Sequence, residues 1–507
     1  MLSPKTRLVH LTVIGVVIMA LEAVTYVVNR QTDDPLLIGY WLFGALVIVF
    51  CLLAFHFGRR YLDRPPAPGR VLCIIPAYNE GHENLVGCVR SILAQTIPVD
   101  VEVIDDGSGV PILPFEDPRV TWRRQPNTGK RGAQVEVLKA HGRKVAGRWR
   151  SSTYQFVLTV DSDSRPAPDA LEQLLRAMSD PRIQAATGMI YIRNFEESFV
   201  ARAADIDIGT SCVMMRASRS ILGCLETTSG ALALYRAELL YDHLDAYAVE
   251  CGTGDDRWLA LRALERGQVV GVAEAMVETD MPVDLRGTYK QRLRWARSWW
   301  WMLPYVFKNL SLRQLISPTY GMLQLVIAPA MTVWALGGIV VAMFSDHARY
   351  SGGDGLLAVS VYVGAYVVVR WGLSGLYLVG RPGMPARQKW LSFLVGTPAA
   401  ILLNLLLLTP TRYVALFKLF DNRWQTRTSK ATPVNHHVSR HDPERTPTLV
   451  MPVQRAADGQ PVHIAVPRRT ARAEPKRLIS PRHLPPVPAQ PLPGERRRNL
   501  TWTGPPE

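Results

Sequence analysis

The chain of 507 residues is long enough for two or three domains, and its formal net charge is +15. Six cysteines show neither C-x-x-C spacing nor a zinc pattern, which excludes a disulfide framework and a structural zinc module. Residues 421–507 carry fifteen Lys and Arg against seven Asp and Glu, so part of the charge belongs to the C-terminal tail. The remainder suits a surface on anionic lipid; no nucleic-acid motif is present, so nucleic acid is not an expected partner.

Two long apolar stretches open the chain. Residues 8–28 and 36–57 are each long enough to cross a bilayer as a helix, which defines residues 1–60 as an N-terminal transmembrane pair. A cleaved signal peptide is the alternative for the first stretch, but a second full-length stretch follows almost at once. Basic residues cluster after the second stretch, so the positive-inside rule places the N-terminus and the following domain in the cytoplasm.

Strand-like and helix-like runs alternate from residue 70 to residue 285, which predicts an α/β domain built from βαβ units. The predicted strands include residues 71–75, 101–104 and 155–160, and polar residues follow each of them. Ligands of open α/β sheets bind at the carboxyl ends of the strands. Neither the phosphate-loop motif nor the dinucleotide glycine motif is met, which disfavours those two chemistries.

The strongest candidate site follows the third of these strands, at Asp161-Ser162-Asp163. Side chains at positions i and i+2 of a strand share a face, so we expect Asp161 and Asp163 to project together from the strand end. Two carboxylates this close favour a hard divalent cation, Mg²⁺ or Mn²⁺, that also binds substrate phosphates. The structural alternative is a capped turn, because Asp-Ser-Asp is also good turn chemistry.

Further along, Asp255 and Asp256 adjoin in a Gly-Asp-Asp-Arg motif, and their structural alternative is a pair of acids capping a helix. Gln291, Arg294 and Trp295 are spaced i, i+3 and i+4, so on a helix they share one face. We expect residues 286–315 to form interfacial helices, in which the three tryptophans at 299–301 lie along the membrane surface.

Three more apolar stretches, at about 318–344, 355–380 and 390–410, predict a C-terminal transmembrane region within residues 316–420. Three crossings would leave the basic tail outside, so either the last stretch doubles back near residues 409–411 or one segment lines the interface. Residues 430–507 are rich in Pro and Arg without periodicity, which predicts a disordered tail.

In this order and between these spans, seven short motifs resemble the membrane-embedded processive glycosyltransferases of family 2, above all the class I hyaluronan synthases. Chito-oligosaccharide, chitin and cellulose synthases are their relatives. The motifs are residues 76–80, 105–108, 129–131, 161–163, 229–236, 254–257 and 291–295. The chain departs from hyaluronan synthases at Ala231, where they carry proline, at Gln425, where they tend to have glycine, and in its long basic tail.

The resemblance implies a GT-A-like α/β domain at residues 70–285, inserted between transmembrane helices of the plasma membrane and facing the cytosol. It implies inverting transfer from a UDP-sugar to a growing polysaccharide, with Asp256 as the base and Mn²⁺ or Mg²⁺ on Asp163. The implied nucleotide-sugar residues are Ala77, Tyr78, Glu80, Asp105, Asp106, Lys130, Arg131, Asp161, Gln291 and Arg294. The implied acceptor residues are Ser229, Tyr235, Arg236, Asp255 and Trp295.

Several alternatives stay open at this point. For Asp105 and Asp106 the structural alternative is an Asx turn after a strand. For the product, the first expectation is a hyaluronan-like polymer made from UDP-N-acetylglucosamine and UDP-glucuronic acid. A chitin-like or chito-oligosaccharide product and a non-processive transfer to lipid are the alternatives. A scaffold without catalytic activity is disfavoured, because all the acids of the motifs are present.

Overall fold

The computed structural model of the chain describes residues 61–252, 254–326 and 369–419, together with positions 12, 15, 16, 19, 49, 367 and the pair 449–450. Most of the predicted N-terminal spans, most of the stretches at 318–344 and 355–380, and the predicted disordered tail apart from Leu449–Val450 lie outside these described residues. Leu449–Val450 form a short strand, so the tail prediction does not hold for these two residues. The chain divides into two units, Met1–Val453 and Gln454–Glu507, and all that follows concerns the first.

A nine-stranded mixed sheet forms the centre of this unit. Its strands are β1 Val71–Ala77, β2 Asp100–Asp106, β3 Val120–Gln125, β6 Phe156–Thr159, β7 Arg165–Pro166, β8 Ile183–Ile192, β9 Ala233–Arg236, β10 Gln268–Thr279 and β11 Leu449–Val450. Their order is β11-β3-β2-β1-β6-β9-β8-β10-β7. Six strands run in one direction, while β7, β9 and β11 run against them. The strands β4 Gly142–Val145 and β5 Arg148–Ser151 form a separate hairpin.

Helices connect and cover the strands. They are α1 His82–Leu93, α2 Gly129–Ala140, α3 Ala170–Met178, α4 Phe199–Ile208, α5 Met214–Leu222, α6 Ala237–Asp242, α7 Leu244–Glu250, α8 Asp255–Arg266, α9 Leu285–Asn309, α10 Ala386–Leu391, α11 Thr397–Leu403 and α12 Thr409–Phe417. π-helical turns at Gly209–Val213, Ser392–Gly396 and Asn404–Leu408 join α4 to α5, α10 to α11 and α11 to α12.

The core lies on both faces of the sheet, as a parallel strand without polar positions predicts. All seven residues of β1 are buried. Alternate side chains of this strand enter opposite clusters, with Cys73 and Ile75 on one face and Leu72 and Ile74 on the other. Helices α1 and α3 pack on the first face, and α2 and α8 pack on the second.

The predicted strands at 71–75, 101–104 and 155–160 are confirmed as β1, β2 and β6, and all three are parallel. Their carboxyl ends therefore meet at one edge of the sheet. The antiparallel β9 begins at this same edge, because Ala233 pairs with Thr159. The chain thus brings residues 76–80, 105–108, 161–163 and 229–232 to one side of the domain.

The segments 386–396 and 397–417 form one continuous helix, Ala386–Phe417, of 32 residues with a mean hydropathy of 2.1 in its most apolar window. In the part of the chain that the structure describes, this is the one helix long and apolar enough to cross a membrane. Residues 409–411 lie within it, so the chain does not double back at that point.

A buried ion pair fixes the segment before this helix to α4. Asp205 of α4 is fully buried, and its Oδ1 lies 3.0 Å from Nη2 of Arg381. Tyr377 donates a 2.9 Å hydrogen bond to the same carboxylate. The guanidinium of Arg381 also lies 4.8 Å from the ring centre of Phe195. Paired and hydrogen-bonded in this way, the buried charges hold α4 and the residues around 377–381 in one arrangement.

Candidate active site

The loops after β1 and β2 are tied to each other at the sheet edge. Asn79 has a φ of +49°, and its backbone N–H donates to Ser108 Oγ at 2.9 Å. Its side-chain oxygen accepts from Gly109 N, also at 2.9 Å. Next to it, Glu80 Oε2 accepts a 2.6 Å hydrogen bond from Ser162 Oγ. Three of the predicted motifs therefore meet through Asn79 and Glu80, while the half-buried Tyr78 lies between Ala77, which is buried, and Asn79.

Asp105 is turned into the protein. Its Oδ1 accepts from Ser108 N at 2.9 Å and its Oδ2 from Ile112 N at 3.4 Å. Nη1 of Arg124 lies 3.3 Å from Oδ2. The turn-forming arrangement raised as the structural alternative is thus present, and contacts of Asp105 with uridine stay a prediction.

Asp106 is buried beside it and makes equally internal contacts. Its Oδ1 accepts from Gln125 Nε2 at 2.7 Å and from Thr128 N at 2.9 Å. Burial raises the pKa of Asp106, although the hydrogen bonds from Thr128 and Gln125 oppose this. This carboxylate connects the end of β2 to the loop that begins α2, and so it places Lys130 and Arg131.

The Asp-Ser-Asp motif forms a turn beyond the strand and not its last residues. β6 ends at Thr159, and Ser164 N donates to the carbonyl of Asp161 at 2.9 Å. The expectation that Asp161 and Asp163 share one face of a strand is therefore wrong, because strand alternation does not apply in the turn. The two carboxylates instead point to different partners: Asp161 to Lys130 and Asp163 to Thr279.

Lys130 joins two motifs. Its Nζ lies 2.7 Å from Asp161 Oδ1 and 3.0 Å from Asp255 Oδ2. Burial opposes the charge on Lys130, but the two carboxylates outweigh it and raise the pKa of the ammonium group. A Cβ at Gly230 would lie 2.7 Å from Asp161 Oδ2 and 3.1 Å from Nζ, so the backbone of this loop closes over the ion pair.

Asp255 and Asp256 lie in the first turn of α8, at the positive end of the helix dipole. Asp256 Oδ1 accepts from Arg257 N at 2.9 Å. Desolvation and the neighbouring charge of Asp255 raise the pKa of Asp256. Desolvation opposes the charge on Asp255, but Lys130 lowers the pKa of this residue. The pKa values of the two adjacent acids are therefore shifted in opposite directions, as in acid pairs whose two members have different roles.

Helix α9 packs directly against the loop that precedes these acids. A Cβ at Gly254 would overlap Ser298 Oγ, and one at Gly252, where φ is +63°, would lie 3.0 Å from Trp301 Nε1. Two glycines thus allow the close approach of the helix to the loop. On this helix Gln291, Arg294 and Trp295 are all half-buried, and Trp295 packs against the main core cluster.

Three of the implied acceptor residues lie in the 229–236 segment, and they divide between two edges of the sheet. Ser229 lies at the site, where its N–H donates to Thr187 Oγ1 at 3.0 Å. Tyr235 is buried, with its hydroxyl 2.6 Å from Thr228 Oγ1. Arg236 pairs with Phe156 at the start of β6, so it lies at the opposite edge, where it donates to backbone carbonyls. The structure therefore does not bring Arg236 to the site.

A match to a known family model covers residues 156–419, more than half of the chain, and is described as glycosyl transferase family group 2. The chain belongs to this family. It is 27% identical to a hyaluronan synthase of Streptococcus pyogenes serotype M1, over 76% of this chain and 90% of the relative. It is 29% identical to an N-acetylglucosaminyltransferase of Sinorhizobium fredii, over 73% of this chain and 86% of the relative.

The predicted family and the enzyme class are thereby confirmed, and the domain is a GT-A-like glycosyltransferase fold with a mixed sheet and flanking helices. Among solved structures, a mannosyltransferase from Pyrobaculum calidifontis in complex with GDP-Man and Mn²⁺ aligns with a TM-score of 0.44 and 16% identity. That alignment covers 79% of this chain and 99% of the other.

The glycosyltransferase offers a limited donor set for a metal. Within the described residues no group of three or more His, Cys, Asp or Glu side chains is arranged to hold an ion. Asp163 supplies hard carboxylate oxygens, while Asp161, two residues away, is paired with Lys130. This set fits Mg²⁺ or Mn²⁺, which bind through one or two carboxylates and take further ligands from substrate phosphates.

Two residues of the site carried no signal in the sequence. Thr279, the last residue of β10, donates from Oγ1 to Asp163 Oδ1 at 3.2 Å. Ser164 donates to Thr279 Oγ1 at 3.2 Å. These hydroxyls orient Asp163, but Thr279 and Asp163 are 116 positions apart in the sequence, so motif spacing could not predict the contact. From the sequence alone, Thr279 could have been recognised only as the last residue of a predicted strand.

Proposed function

We propose that this glycosyltransferase is a processive, inverting synthase that uses UDP-sugars to make a β-linked polysaccharide, hyaluronan-like in its donors. The observation that carries the proposal is the meeting of Lys130 with both Asp161 and Asp255, directly beneath the loop of Gly230. This contact unites three motifs that are far apart in the chain. The relatives named hyaluronan synthase match over most of their own length, which supports the choice of donors.

Transfer needs a base that removes the proton from the acceptor hydroxyl while UDP departs. Asp256 suits the role of such a base, because desolvation and the charge of Asp255 raise its pKa above that of an ordinary aspartate. Asp255 is paired with Lys130, which lowers its pKa and keeps it ionised, so it supplies the negative charge beside Asp256. A single displacement with one base converts an α-linked donor into a β-linked product.

Lys130 and Arg131 begin α2, where backbone N–H groups and the helix dipole also favour a diphosphate. Asp163, with Asp161 beside it, would hold the divalent cation, which when bound offsets the charge that builds on departing UDP. Thr279 and Ser164 keep Asp163 oriented for this task. Gln291 and Arg294 would close the site over the donor, and Trp295 would contact the acceptor sugar.

Export through the membrane is part of the proposal. Helix α9 contacts the catalytic loop through Ser298 and continues into its three tryptophans. Trp300 Nε1 donates at 2.8 Å to the carbonyl of Arg412, which lies in the long apolar helix Ala386–Phe417. A polymer released at Trp295 would therefore emerge next to an apolar helix of membrane-spanning length. The predicted multi-pass topology in the plasma membrane, with a cytosolic catalytic domain, belongs to this proposal.

The test uses purified full-length protein in detergent, with radiolabelled UDP-N-acetylglucosamine and UDP-glucuronic acid supplied singly and together, and with Mn²⁺. We expect long polymer only when both donors are present, and no polymer from the Asp256→Asn variant. The absence of polymer under every combination of donors would contradict the proposal.

A second candidate function has its own support. The relatives from Sinorhizobium fredii and Mesorhizobium japonicum are named N-acetylglucosaminyltransferases, and both are 29% identical to this chain. Polymer or oligomer formed from UDP-N-acetylglucosamine alone would establish this chitin-like alternative. A single sugar added to a lipid would instead indicate a non-processive enzyme.

A further inference from the structure

Arg292 lies between Gln291 and Arg294 but has no role in the function proposed above. Its guanidinium carbon is 4.7 Å from the ring centre of Trp295, one turn further along α9. Its Nη2 is 3.0 Å from Oδ2 of Asp207, and the two side chains are only 13% and 5% exposed. Arg292 thus contacts the acceptor tryptophan on one side and a buried carboxylate on the other.

Asp207 is itself held from a third direction. It lies near the end of α4, and Asn404 Nδ2 of the long C-terminal helix donates to its Oδ1 at 3.4 Å. α4 is fixed in turn by the Asp205–Arg381 ion pair and by a 2.8 Å hydrogen bond from Arg202 to Ser392. The carboxylate of Asp207 therefore has a fixed position. This restricts the orientation of the planar Arg292 guanidinium that pairs with it.

We propose that Arg292 is a positioning residue: anchored by Asp207, it sets the orientation of the Trp295 indole and thereby the position of the acceptor sugar. The inference rests on the proposed function, which assigns Trp295 to the acceptor, and it assigns Asp207 and Arg292 a part in chain elongation. A planar cation against an aromatic face restrains the ring. The reacting hydroxyl must lie within about 3–3.5 Å of the donor carbon, so a reoriented ring slows transfer.

A purely structural role predicts something different. If the Asp207–Arg292 pair only joined α4 to α9, then Arg292→Lys would preserve elongation, because lysine retains the positive charge that pairs with Asp207. If Arg292 positions Trp295, the same substitution removes the planar group over the indole and impairs elongation while the fold survives. Lysine at 292 therefore separates the two roles.

The first experiment compares full-length wild type, Arg292→Lys and Arg286→Lys in the two-donor polymer assay. Arg286 is exposed in the first turn of the same helix and serves as the matched control. We expect Arg292→Lys to shorten the product about three- to tenfold and to raise the ratio of donor hydrolysis to transfer, with the KM for each UDP-sugar unchanged. Unchanged product length and hydrolysis in this variant would overturn the inference.

A second measurement needs no activity. The protein is labelled with 5-fluorotryptophan, and the ¹⁹F resonance missing from Trp295→Phe is assigned to Trp295. We expect Arg292→Lys and Asp207→Asn to shift or broaden that resonance, and Arg286→Lys to leave it in place. A resonance that none of these changes would overturn the positioning role. If wild type made no polymer, the proposed function would fail, and this spectrum would still decide the role of Arg292.

Discussion

Two strand ends of the same sheet carry paired acids, and the structure uses them in different ways. At the end of β2, the side chain of Asp105 is 1% exposed, and it is bound to two backbone N–H groups and to Arg124. After β6, the side chain of Asp161 is 39% exposed, and Lys130 is its partner. Asp105 is bound within its own loop, whereas Asp161 is exposed enough to contact a ligand. A strand followed by acids therefore identifies the edge of the sheet but not the role of each acid.

We expect the largest effect of any substitution at Asp256, the proposed base in the first turn of α8. Asp256→Asn keeps size and hydrogen bonding but cannot take a proton, so the transfer rate should fall by about 10²–10⁴-fold. UDP binding should survive, because Lys130 and the loops after β1 and β2 are untouched. Initial rates of transfer together with calorimetric titration of UDP measure the two quantities.

The matched control for this substitution is Asp245→Asn. Asp245 also lies in the first turn of a short helix, α7, where it accepts from Trp149 Nε1 at 3.2 Å. We expect near-normal activity from this variant. An Asp256→Asn protein that retained transfer would remove Asp256 from the role of base.

We expect the next largest effects at Asp105, which is bound within its own loop, and at Asp163, the proposed metal ligand. Asp105→Ala leaves two buried N–H groups and Arg124 without their acceptor, so it should lower the free energy of unfolding by about 2–4 kcal/mol. Asp163→Ala should change the free energy of unfolding little but lower the divalent-dependent activity, by less than Asp256→Asn does. Thermal unfolding and Mn²⁺ titration of the two variants test this. Equal free energies of unfolding in the two variants would show that Asp105 does not stabilise the fold.

The sequence predicts the frame of this site better than its contacts. The runs at 71–75, 101–104 and 155–160 are predicted as strands of βαβ units, and parallel strands bring their carboxyl ends together. The helical spacing of Gln291, Arg294 and Trp295 is likewise confirmed by α9. Patterns of this kind are local, so short windows of sequence contain them.

The parts that the sequence could not predict depend on tertiary packing. β6 ends at Thr159, so Asp161 and Asp163 lie in a turn and not on the shared strand face that was expected, and Asp161 pairs with Lys130. Thr279 meets Asp163 only because β10 ends at the same sheet edge. Arg236 immediately follows Tyr235, yet antiparallel pairing carries it away from the site. Strand ends, strand direction and register determine where Asp161, Thr279 and Arg236 lie. A short sequence motif does not contain this information.

A smaller effect is expected where a neutral group orients the metal ligand. Thr279→Val removes the hydroxyl that donates to Asp163 at nearly constant volume, so Mn²⁺ affinity should fall by about 10–100-fold. Thr96→Val, which removes a hydroxyl bound to Glu172 on α3, is the matched control. Electron paramagnetic resonance of free Mn²⁺ measures the affinity in both variants. Equal affinity in the two would show that Asp163 needs no such support.

The smallest effect is a shift in the pH dependence of activity. The pKa of Asp256 is raised by desolvation and by Asp255, and a base must be ionised, so kcat/KM should fall as the pH drops through this raised pKa. That acid limb should lie above the pKa of about 3.9 of an ordinary aspartate. Asp255→Asn removes the adjacent negative charge, lowers the pKa of Asp256 and should move the limb to lower pH. Asp255→Glu keeps the charge and should leave the limb in place. A limb that stays in place in Asp255→Asn would mean that the charge of Asp255 does not raise the pKa of Asp256.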